Sequence, residues 1–70
     1  MKKGDRVLIL DGTEANGQSG TISLIYTNRY IGIKLDNKVR LSYSGKMAYV
    51  TYWYVAGEQW LELIEAGVTP

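Results

Sequence analysis

Residues 11–20, DGTEANGQSG, decide how the rest of this chain reads. They follow the apolar run VLIL, and from Gly12 they spell G-x-x-x-x-G-Q-S, one substitution from a nucleotide-binding P-loop. That loop requires a lysine after its second glycine to reach the phosphates, and then a helix whose N-terminus faces the anion. Gln18 stands in the lysine's place, and its neutral amide supplies no charge. The residues that follow, GTISLIYT, alternate Ile22 and Leu24 against Thr21 and Ser23, the period of a strand rather than a helix. The stretch therefore reads as a glycine-rich connection between two antiparallel strands.

Period-two order runs on from there. DRVLIL places Val7 and Ile9 on one face, YIGIKLD places Ile31, Ile33 and Leu35 together, and KVRLSY does the same with Val39, Leu41 and Tyr43. No helical stripe of comparable length is present. Asp36 and Asn37 separate two of these runs as a tight hairpin turn would, and Ser44 and Gly45 offer a second turn before KMAYVTYWYV. GEQW reads as one helical turn leading into LELIE, with Leu61 and Leu63 inward and Glu62 outward. The expected core is Val7, Ile9, Ile22, Leu24, Ile33, Leu35, Val39, Leu41, Leu61 and Leu63. Strands joined by short turns in this order curl into a small barrel, which shields the edges of a short β protein. The expected fold is all-β: a barrel of about five strands with an extra aromatic hairpin segment and one short helical turn, a single domain over residues 1–70.

Composition narrows the function. The chain has 70 residues and neither cysteine nor histidine, which removes disulfides, thiol nucleophiles and the commonest general base. No apolar run approaches the ~20 residues that span a bilayer, so a soluble, cytoplasmic protein without membrane insertion is expected. The carboxylates Asp11, Glu14, Glu62 and Glu65 are tied to no nucleophile and show no metal spacing, and Ser19 and Thr21 have no partner base. The chain is read as a non-enzyme with no catalytic residue, metal, cofactor or small-molecule substrate. Its charge is polarised: residues 1–46 hold all eight basic and four acidic residues, and residues 47–70 hold three acidic and no basic ones.

The stretch KGDRVLILDGTEANGQSGTISLIY resembles the KOW motif of small SH3-like barrels, found in transcription-elongation factors and ribosomal proteins. The likeness lies in Gly4 and Asp5, the alternating Val7 and Ile9, Gly12, and the Gly17-x-x-Gly20 step into the next strand. It covers Lys3 to Asp36. The Gly12 to Gly17 spacing is one residue longer than in the family, and SYSGKMAYVTYWYV lies outside the motif. KVRLSYSG also resembles, over a few residues, the stromal SH3-like subunit of photosystem I. The resemblance implies an SH3-like barrel that binds within a machine of protein and nucleic acid, of the ribosome or RNA polymerase type.

Two surfaces are candidates for such binding. Lys34, Lys38 and Arg40 alternate outward from the strands around Asp36 and Asn37, with Arg29 and Tyr30 just before them, and such a row suits the phosphates of RNA or DNA, with Tyr30 or Tyr26 available for base stacking. The bland alternative is a solvated strand face whose lysines guard an edge. In MAYVTYWYV, strict alternation sets Met47, Tyr49, Thr51, Trp53 and Val55 against Ala48, Val50, Tyr52 and Tyr54. Either the smaller face packs inward, leaving Tyr49 and Trp53 as anchors for a protein partner, or the hairpin folds over an open barrel mouth and buries both faces. The expected function is a non-catalytic module that docks through the aromatic hairpin and the basic face. The alternative is a purely protein-binding accessory or regulatory subunit, such as a photosynthetic-complex subunit or a phage protein that binds a host enzyme, with no nucleic-acid contact.

Overall fold

In the computed structural model, which describes residues 1–67, the chain forms one antiparallel sheet of five strands in the order β4-β3-β2-β1-β5. The strands are β1 (Arg6–Ile9), β2 (Ser19–Ile25), β3 (Ile31–Tyr43), β4 (Lys46–Val55) and β5 (Leu61–Glu65). One 3-10 turn, Glu58–Trp60, precedes β5. The all-β class and the short turn before the last strand follow the sequence pattern; the end of the expected domain, residues 68–70, lies outside the described residues.

The glycine-rich loop joins β1 to β2. Gly12 and Gly17 adopt positive φ, the Asn16 side-chain oxygen accepts from the Gly12 N–H, and the Gly17 N–H donates to the Ile9 carbonyl. Asp11 accepts from both the backbone N–H and the hydroxyl of Thr13, an Asx-type turn. Ala15 is fully buried and plugs the loop against the core. These polar groups serve the turn itself, and β2 follows directly.

The expected turn at Asp36 and Asn37 is not there. A two-residue hairpin turn needs positive φ, and among the described non-glycine residues only Arg29 and Ser44 have it. β3 instead runs unbroken through both residues. Residues 35–38 bulge there, facing the single Thr51 between the Lys34–Tyr52 and Val39–Val50 pairs. Asp36 acts as a clamp: its carboxylate accepts from both Arg6 terminal nitrogens at 2.6 Å and from the Ser19 hydroxyl at 2.7 Å, tying β3 to β1 and β2. The Ser44–Gly45 turn does form, with positive φ at both residues and Tyr43 paired to Lys46.

The core comprises Val7, Ile9, Ala15, Ile22, Ile31, Ile33, Leu35, Val39, Val55 and Leu61, with Val50 and Trp53 packed against it. Three expected members leave it. Leu24 is exposed because the register slips at Ser23: Ile22 faces Ile33, but Leu24 faces Gly32, and one extra residue turns a side chain to the other face. Leu63 pairs with Val7 on edge strand β5 and stays exposed, and Leu41 lies half-buried where β3 has passed the end of the core. At the chain's start, buried Asp5 accepts from the Lys2 and Gly67 N–H groups and so ties the segment that enters β1 to the segment that leaves β5.

Candidate functional site

β3 is thirteen residues long and β4 ten, and nine pairs join them, so the hairpin outruns the other strands and projects as an arm, and the molecule measures 44 × 24 × 18 Å. No acidic residue occurs between Asp36 and Glu58, while Lys38, Arg40 and Lys46 all fall there. All three are exposed. The Lys38 ammonium lies 5.3 Å from the centroid of the Tyr49 ring, and an Arg40 N–H donates to the Met47 sulfur at 3.2 Å. At an exposed site a cation–π contact contributes about 0.5–1 kcal/mol, enough to bias where the Lys38 ammonium sits without neutralising it. Beyond Asp36 the arm thus presents positive charge with no carboxylate of its own.

The residues expected to bind nucleic acid are partly brought together. Lys34, Lys38 and Arg40 are exposed on one long strand rather than on two neighbours across a turn. Arg29 is set apart: it occupies the β2–β3 turn at φ 74° and lines a cleft of about 400 Å³ with Ile25, Ile31 and Gly57 at the opposite end from the arm's tip. Tyr30 is exposed beside that turn, its carbonyl accepting from the Tyr26 N–H. Lys46, a base beside the Ser44–Gly45 turn and outside the expected basic face, completes the arm's charge.

The two expected protein anchors separate. Tyr49 is 60% exposed on the arm. Trp53 is half-buried against the core, and its indole N–H donates to Asp11 at 2.9 Å. Strict alternation puts Tyr49 and Trp53 on one face, but the bulge opposite Thr51 breaks it, and Val50 and Trp53 both pack on the core side. Trp53 is therefore a structural residue. Burial pushes the Asp11 carboxyl up, yet the hydrogen bonds from Thr13 and from Trp53 outweigh this and hold it below its ordinary 3.8.

A second aromatic surface extends from Tyr26 and Tyr30, the residues expected to stack on bases, to Tyr52 and Tyr54. All six tyrosines are exposed, and four of them, Tyr26, Tyr30, Tyr52 and Tyr54, lie on or beside the β2–β3–β4 part of the sheet. Tyr54 pairs with Gly32, where a Cβ would stand 3.1 Å from its ring. The missing side chain lets that ring lie against the sheet. Tyr26 packs against it with ring centroids 6.2 Å apart and planes tilted by 45°, and Tyr26 raises the Tyr54 hydroxyl above its ordinary 10.0, first through charge and then through a hydrogen bond between the phenols.

Among the described residues no cluster of three or more metal-ligating side chains occurs, and no helix is long and apolar enough to cross a membrane. No family model matches this chain, and neither the curated proteins nor the solved structures compared with it give a match.

Proposed function

We propose that this chain is a non-catalytic binding module that uses its β3–β4 arm to dock onto a phosphate-bearing assembly, with a protein and nucleic-acid machine of the ribosome or RNA polymerase type as its setting. The observation that carries this reading is the uncompensated charge of the arm's outer part: Lys38, Arg40 and Lys46 on the stretch of the hairpin beyond Asp36, which contains no acid. A face whose lysines served only solvation would tolerate carboxylates among them; this one has none from residue 37 to residue 57. Exposed Tyr49 and Met47 supply the apolar contact on the same arm. The setting itself comes from the KOW-like stretch Lys3 to Asp36, with an SH3-like barrel as the family reading and the cytoplasm as the compartment.

Salt dependence tests it. Fluorescence anisotropy with single- and double-stranded oligonucleotides at ~50 and ~200 mM salt should show binding that weakens steeply with salt. In Lys38→Ala/Arg40→Ala/Lys46→Ala the slope of log affinity against log salt should flatten by roughly 0.7 to 0.9 for each lost phosphate contact. The second reading, a purely protein-binding accessory subunit, draws on edge strand β4, whose partner in the sheet lies on one side only. It requires that no oligonucleotide binds at the lower salt and that capture of a protein partner persists at the higher.

A further inference from the structure

The arm accounts for Tyr49 but leaves the tyrosines of the sheet without a role. Strand pairing sets Leu24, Gly32 and Tyr54 in one row across β2, β3 and β4, and Thr21, Lys34 and Tyr52 in another. Tyr26 closes the patch against the Tyr54 ring. Tyr26, Tyr52 and Tyr54 are each 44–51% exposed, so their rings are half embedded and half presented to solvent. A ring held in this way loses little conformational freedom when something flat is laid on it.

Charge selects the occupant. Lys34 stands in the row beside Tyr52, is exposed, and makes no ion pair among the described residues. The nearest carboxylate on β3, Asp36, is already occupied by Arg6 and Ser19. Further along the same strand come Lys38 and Arg40. Rings beside a line of cations on β3, whose one carboxylate is already engaged, suit a polymer that carries planar groups and regular negative charge. A duplex offers the charge but keeps its bases stacked inside; only a single strand can lay them on tyrosine.

We propose that the outer face of β2–β3–β4 is a stacking site for single-stranded nucleic acid, with bases resting on Tyr54, Tyr26 and Tyr52 and the backbone passing Lys34 toward the arm. The proposal deepens the phosphate-binding reading and rests on it. Gly32 has a defined part in it: a Cβ there would stand 3.1 Å from the Tyr54 ring, which would have to shift by a few tenths of an ångström to admit it.

The test compares three probes: an oligothymidylate of about ten nucleotides, an abasic strand of the same length and a duplex. The wild type should bind thymidylate roughly ten- to hundredfold more tightly than the abasic strand, the range that base stacking on an aromatic ring supplies. Tyr54→Ala and Tyr26→Ala should erase that preference while leaving abasic and duplex binding in place, and Tyr54→Phe, which keeps the ring, should retain it. Thermal unfolding of Tyr54→Phe and Tyr26→Ala confirms that the sheet persists. Equal affinity for thymidylate and abasic strand, or a preference untouched by Tyr26→Ala and Tyr54→Ala, overturns the stacking site while the arm's phosphate reading stands. Absence of binding to all three probes, as expected if a protein covers this face, overturns both.

Discussion

The indole N–H of Trp53 donates to the carboxylate of Asp11 at 2.9 Å, across 42 positions of sequence. The contact joins β4 to the glycine-rich loop after β1, two elements that are not neighbours in the sheet. It therefore helps to fold the sheet over its core. Trp53→Ala should cost about 2–4 kcal/mol, below or within the range for a fully buried aromatic because the ring is only half-buried. Trp53→Phe should recover most of the packing but lose the hydrogen bond. Denaturant unfolding measures both. Trp60 is 41% exposed, so the Trp60→Phe protein isolates Trp53, whose emission should then be poorly quenched by acrylamide. Easy quenching there, with no loss of stability in Trp53→Ala, would return Trp53 to the surface.

Acid should loosen the sheet through three carboxylates. The Arg6 guanidinium, with help from the Ser19 hydroxyl, lowers Asp36 to about 2 from 3.8. The Gly67 and Lys2 N–H groups lower Asp5, and Asp11 is lowered as well. A carboxylate whose folded value lies below its unfolded one stabilises the fold fully above the unfolded value and loses that contribution as pH falls through the folded one. Stability should therefore be level above about pH 5 and decline from there toward pH 2. Asp36→Asn should flatten the lower part of the decline and cost about 1 kcal/mol or less at neutral pH, since the pair is partly exposed. Thermal melts across this range, for wild type and Asp36→Asn, decide it.

How far the sequence spoke depends on distance along the chain. Local signals were legible: Ser44–Gly45 as a two-residue turn, the glycines of residues 11–20 as a strand connection, and the one turn before Leu61. The Gly17-x-x-Gly20 step also has a physical basis, because a Cβ on Gly20 would stand 2.5 Å from the Lys34 carbonyl oxygen. What failed were inferences that carried alternation through a register slip. Two bulges, at Ser23 and at residues 35–38, send Leu24 outward and bring Val50 and Trp53 to the same side. A bulge depends on partners that are remote in sequence. For Asp36 the deciding partner was Arg6, and no rule of turn chemistry contains it. The basic arm was half legible, as charge on alternating positions, but its length emerges only once Asp36 and Asn37 cease to be a turn. The tyrosine face needed Gly32 and Tyr54 to be seen side by side.

The slip at Ser23 can be tested by comparing two residues that simple alternation places in the same core. Ile33 is fully buried at the centre of the sheet, paired with Ile22, and Ile33→Ala should cost on the order of 2–4 kcal/mol, a large share of what a small domain has. Leu24 is 44% exposed beyond the bulge, and Leu24→Ala should cost less than about 1 kcal/mol. If β2 ran without the slip, Leu24 would continue the face of Ile22 and the two substitutions would cost the same. Urea unfolding of both variants measures the difference directly. Replacing Leu24 by Lys sharpens it: a side chain on the outer face keeps its ammonium in water and the protein folds, whereas one driven into the core would bury an unpaired charge and the sheet would not form.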